Sequence, residues 1–319
     1  MRYSLVLLAC LLAACNKNTP DPDPVPDPDD ATLPVERRIE AISFLGDTLS
    51  EILIDSATWA EREMQFEEAQ ETWLADPEDV EAVIWVGRRA AYLGRYQEAI
   101  QLYTIGIEPH PDDARLYRHR GHRYITTRQL DRAITDLEHA AWLTDGMPDE
   151  VEPDGLPNER GIPTSTLQSN VWYHLGLARY LTGDYIGALA AYERCLAVST
   201  NRDMEVATRY WLYLTLDRLG RADEAATVAG AVSADWDIIE NHSYHRLLLL
   251  YQGNGDLAEV LSDEAGTIGN ATAAYGVTRW YAGQGMDSEA QAMLEGIVAG
   301  GQWPAFGYIA AEADLATLR

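Results

Sequence analysis

The chain has 319 residues, 47% of them hydrophobic, enough to bury a large core and too apolar for a disordered polymer. Its 24 Lys plus Arg stand against 51 Asp plus Glu, a net charge of −27. That balance excludes a phosphate-backbone binder, which needs basic surface, and a polybasic membrane patch. Of the three cysteines, Cys10 and Cys15 lie in the leader and only Cys195 in the body. The body therefore has no cysteine pair for a disulfide and no cysteine-rich zinc site, and Cys195 reads as a small buried residue on a helix.

The N-terminus begins with Met1-Arg2-Tyr3 and an unbroken small or apolar run from Ser4 to Ala14. That run is a signal-peptide core, shorter than the roughly 20 apolar residues a spanning helix needs. It ends Leu12-Ala13-Ala14-Cys15, which resembles the lipobox of bacterial lipoproteins. The resemblance implies removal of residues 1–14 and acyl chains on Cys15. The membrane would then be reached only through that anchor, with more than one chain to make it stable. Asn16 stands where an Asp would imply retention at the inner membrane, so the expected address is the periplasmic face of the outer membrane. Residues 15–34 alternate Pro and Asp and read as a solvated, semi-stiff tether.

Residues 35–78 show no repeat and read as an N-terminal helical cap, with a long helix over Ser56–Ala75 that Ser56 caps. A period of about 34 residues then sets in. Its first copy has Val86-Gly87, Leu93-Gly94-Arg95-Tyr96, Glu98-Ala99, Tyr103 and Pro111; the second has Gly121, Arg128-Gln129-Leu130, Ala133, Leu137 and Ala140. The third has Trp172, Leu175-Gly176, Gly183-Asp184-Tyr185, Ala188, Tyr192 and Cys195. Three weaker copies follow, with turn glycines Gly220, Gly255 and Gly285. The pattern resembles the tetratricopeptide repeat and implies an all-α, right-handed superhelical solenoid of about six helix-turn-helix hairpins over 79–303. Each copy independently shows two amphipathic helical segments. A glycine sits between them where a left-handed C-cap is needed. Gly87, Gly121 and Gly176, inside the first helices, are expected to admit the paired helix near Ala99, Ala133 and Ala188. Residues 145–168, with four prolines, read as a solvated inserted loop, and 304–319 as a C-terminal capping helix.

In the resembling family the first helix of each hairpin lines the concave face. The positions so aligned are Arg88, Tyr92, Arg115, Arg118, His122, Tyr173, Tyr180, Tyr210, His242, His245, Tyr275 and Arg279. This set contains no acid, although the chain is strongly acidic. Arginine forks and tyrosine hydroxyls suit carboxylates or a peptide backbone. The expected partner is a protein or peptide segment bearing acidic groups, held in a basic, aromatic groove, with no nucleic acid, cofactor, metal or catalytic residue. The alternative is an envelope enzyme or metal-binding protein using His119 with His122, or His242 with His245, three apart on a helix. No His-Glu-x-x-His, phosphate-cradling glycine loop or Gly-x-Ser-x-Gly motif accompanies them. A structural role in an envelope complex is the third reading.

Overall fold

Each repeat copy becomes two packed helices, and one backbone conformation sets the turn between them. In a computed structural model, residues 37–261 and 268–318 are described; the leader, Cys15 and the tether lie outside them. The six pairs begin with α2 (Val80–Tyr92) and α3 (Tyr96–Ile107), then α4 (Ala114–Thr126) and α5 (Leu130–Leu143). Next come α6 (Leu167–Leu181) and α7 (Tyr185–Val198), then α8 (Arg202–Arg218) and α9 (Ala222–Gly230). The last are α10 (His242–Tyr251) with α11 (Leu257–Val260), and α12 (Ile268–Gly283) with α13 (Asp287–Val298). Before them stands α1 (Ser56–Ala75) and after them α14 (Phe306–Thr317). Helices adjacent in sequence pack on one another through the first four pairs, as stacked hairpins must to bury their apolar faces.

Gly94, Gly183, Gly220 and Gly285 take left-handed φ of 79°, 80°, 70° and 72°, the C-capping role expected of them. In the fifth copy that role falls to Gly253 (φ 78°), not Gly255, whose missing Cβ would meet the Leu250 backbone nitrogen at 2.5 Å. In the second copy Arg128 itself adopts φ 64°. A side chain there costs on the order of 1–3 kcal/mol, so something must hold it.

The glycines inside the first helices answer to the residue four beyond the expected alanine. A Cβ on Gly87 would lie 2.4 Å from the Tyr103 ring, one on Gly121 2.8 Å from Leu137, and one on Gly176 2.7 Å from Tyr192. Tyr192 is fully buried, so its ring has nowhere to go. Gly176→Ala is expected to cost about 1–3 kcal/mol through overpacking, read as a lower urea midpoint with unchanged slope. An unchanged midpoint would show that the ring yields.

The segment 35–78 is not helical throughout. A two-stranded antiparallel hairpin, β1 (Ile39–Ile42) and β2 (Thr48–Ser50), precedes α1 and turns at Gly46, φ 94°. Its Glu40 is 1% exposed and accepts from Gln97 N at 2.8 Å, satisfying a free amide at the start of α3. Asp55, not Ser56, caps α1, accepting from Thr58 N at 3.0 Å. Cys195 is fully buried, with Sγ 3.2 Å from Thr208 Oγ1 and its thiol pushed up to about 12 by burial.

Candidate functional site: a basic face covered by the chain's own acids

Two segments from outside the repeats lie on the face built by the first helices. One is the insert 145–168, largely exposed as a solvated loop would be, yet tied down as a strap by its own hydrogen bonds. Val151 bridges to Thr166, Glu152 N donates to Ser165 O at 3.1 Å, and Leu167 N donates to Glu150 O at 2.8 Å. Thr166 then caps α6 in a reciprocal capping box with Ser169. At the strap's first repeat contact, Arg89 Nη1 donates to Gly155 O at 3.1 Å and Gly155 abuts the Tyr92 hydroxyl. At its far contact, Arg160 pairs with Asp237 at 2.9 Å and Asn201 Nδ2 donates to Thr164 O at 2.8 Å.

The other segment is α14, which packs on α12 and α13 and also reaches α6. Phe306 lies 5.4 Å from the His122 ring and 5.7 Å from His174. Glu312, fully buried, accepts from Arg128 Nη2 at 2.7 Å and from the Phe44 amide. Arg128 also donates to Trp303 O at 2.9 Å, and these bonds hold its left-handed backbone. Asp314 pairs with Arg218 and accepts from Tyr275 Oη at 3.2 Å.

The aligned groove residues fall into three groups. Arg88, Tyr92, Arg118 and His122 come together around one cavity of about 130 Å³, with Tyr103, His119, Arg123 and Glu152. Tyr173, Tyr180, Tyr210 and Tyr275 are buried in an aromatic seam. There Tyr180 Oη pairs with Tyr275 Oη at 2.9 Å, and Tyr173 Oη accepts from Trp211 Nε1 at 2.9 Å. Arg279 borders the seam near Tyr180 and Tyr275, while Arg115, His242 and His245 line neither the cavity nor the seam. Arg115 pairs with Asp113 at 2.6 Å and with Glu81; Arg279 pairs with Asp217 at 2.7 Å. His245 faces Ser233 O at 2.9 Å while His242 is exposed. Sequence alignment missed Arg123, His174 and Glu152. Arg123 is one turn beyond His119 on α4, so a wider helical stripe would have included it. Nothing local marks Glu152.

The cavity is positive at its wall and its histidines are neutral. Burial first, then Arg118, Arg88 and Arg123, hold the His119 imidazole well below its usual range. Burial, then Arg123, does the same for His122; burial, then Arg118, does so for His174. His119 Nδ1 lies 2.9 Å from Arg118 Nη1, so in the neutral ring Nδ1 accepts and Nε2 carries the proton. Among the described residues no group of three His, Cys, Asp or Glu side chains could hold a metal ion.

The class defined by these elements is a helical-hairpin repeat solenoid in which the face built by the first helices is partly covered by the chain's own insert and α14. Residues 169–202, essentially α6 and α7, match the model of the tetratricopeptide repeat family. Among solved structures the chain is similar to MamA, at 19% identity and TM-score 0.42 over 56% of this chain and 92% of that one. It is similar to YrrB, a TPR protein with an unusual peptide-binding site, at 17% identity and TM-score 0.42 over 73% and 92%. A tetratricopeptide repeat protein from Parabacteroides merdae gives 15% identity and TM-score 0.45 over 78% and 91%. No curated protein sequence matches the chain.

Proposed function

We propose that the chain is a lipid-anchored tetratricopeptide-type scaffold of the bacterial envelope that binds a protein or peptide segment bearing acidic groups. The observation that carries the reading is the use already made of the basic face. Arg118, Arg128 and Arg218 each receive a carboxylate from outside the repeats, Glu152, Glu312 and Asp314. A face that holds acidic segments of its own chain has the chemistry to hold one from a partner, either beside the strap or in its place. Arginine suits this role through its planar fork, and every cation of the body is arginine or histidine, Lys17 being the single lysine. Anchoring rests on Leu12-Ala13-Ala14-Cys15 and the Pro/Asp tether, and the periplasmic face of the outer membrane on Asn16.

The test uses the full chain in detergent to retain partners from envelope extract. Arg115 and Arg279 are partly exposed at separate points of the face. The double charge reversal Arg115→Glu, Arg279→Glu is expected to lower retention of a specific partner at least about tenfold, or about 1.4 kcal/mol. Equal retention by the variant, or no specific partner, sinks the binding reading. Cys15→Ala is expected to move the protein from the detergent phase to the aqueous phase; unchanged partitioning sinks the anchor.

A further inference from the structure

We propose that the cavity between α2, α4 and the strap is a binding site for a small divalent oxyanion of the inorganic phosphate type. It stands apart from the partner-binding reading and would survive the loss of it. Three guanidinium groups, Arg88, Arg118 and Arg123, line the cavity with a single carboxylate, Glu152.

The donors are not used up by the protein. Arg118 is 7% exposed, and its Nε has no hydrogen-bond partner although Glu152 Oε2 lies 3.0 Å away, out of alignment. No hydrogen bond or ion pair joins the Arg123 guanidinium to another described residue; it rests on the Tyr96 ring at 5.4 Å. Arg88, 9% exposed, donates to the Tyr92 hydroxyl at 3.3 and 3.2 Å and rests on the Trp85 ring at 4.5 Å. Glu152 is partly engaged elsewhere, accepting from Asn170 Nδ2 at 3.0 Å. Burial and then Glu240 raise the pKa of the next carboxylate of the strap, Asp154, while nearby Arg88 favours its charged form.

A buried cluster of like charges is costly unless a counter-charge joins it. Here three guanidinium groups line the cavity against one lining carboxylate, an excess that an oxyanion would offset. The space of about 130 Å³ has room for a tetrahedral ion, and the cavity is partly open to solvent. Guanidinium forks match the geometry of such oxygens. Neutral His119 and His122 add N–H donors without adding charge.

The experiment is calorimetric titration of the full-length protein with inorganic phosphate and with sulfate, at ionic strength held constant by chloride. One site per chain is expected, with Arg123→Gln weakening it at least about tenfold, as the loss of a charge-assisted contact does. Arg132→Gln, an exposed position outside the cavity, is expected to bind as the native chain does. Glycerol 3-phosphate is expected to bind more weakly, since esterification blocks one of the four oxygens the guanidinium groups would meet. Absence of saturable binding by the native protein overturns the proposal without recourse to any variant. So does equal binding by a folded Arg123→Gln. Tighter binding of the ester overturns the free ion as ligand and assigns the site to a phosphomonoester.

Discussion

Glu312→Ala is expected to destabilise the protein by about 3–5 kcal/mol, the cost of leaving a buried charge without its partner. The Arg128 and Glu312 side chains are 3% and 1% exposed, so solvent cannot replace what the substitution removes. The loss also frees the Phe44 amide and slackens the hold on Arg128, whose φ of 64° needs restraint. Against a typical total of about 5–15 kcal/mol, this is a large fraction. Urea denaturation measures it as a drop in midpoint. The double variant Arg128→Gly, Glu312→Ala is expected to be more stable than Glu312→Ala alone. It removes the orphaned charge and puts glycine where the backbone is left-handed. A single-variant loss below about 1 kcal/mol would show that α14 is only loosely seated.

Acidification should weaken the fold in a window set by the buried histidines. In the unfolded chain an imidazole takes up a proton near pH 6.5, whereas folded His119 and His174 are held well below that. Their contribution is therefore complete above about pH 6.5 and is lost as the pH falls below it. Each contributes about 1.4 kcal/mol per pH unit within the window, so going from about pH 7.5 to about 5.5 should cost about 2–3 kcal/mol. Both rings are well buried, 6% and 4% exposed; His122, held low by burial and Arg123, works in the same sense. Glu40, Asp136 and Asp154 work in the opposite sense, since carboxyls raised in the folded state favour folding as the pH falls. The decisive comparison is the pH slope of the urea midpoint in His119→Gln against the native chain, in buffer free of phosphate and sulfate. The variant should lose about a third of the histidine-dependent slope. An unchanged slope would remove His119 from the account.

The repeat was legible because its physics is local. Leu-Gly turns, small residues at crossings and 3.6-residue periodicity recur every 34 or so positions, and Gly94, Gly183, Gly220 and Gly285 occupy the conformation they advertise. The β-hairpin was not legible: Ile39–Ile42 and Thr48–Ser50 are too short to show an alternating pattern. Part of the basic face was legible, since Arg88, Arg118 and His122 do converge. Its cover was not. No sequence period relates Glu152 to Arg118 or Glu312 to Arg128, whose pairing spans 184 positions. The sign reversal seen along the first helices has its other half in the strap and in α14, far away in sequence.

The return of α14 to Arg128 and Phe44 also changes how the chain can fold. Units that touch only their neighbours can fray from either end and gain stability one at a time. Here the β-hairpin and the second repeat also contact residues 184 and 268 positions away, contacts that an open array lacks. The early repeats carry buried charge that is met only when the C-terminus arrives. Such contacts are expected to couple the unfolding of α14 to that of the second repeat, so that the two lose structure together rather than fraying separately.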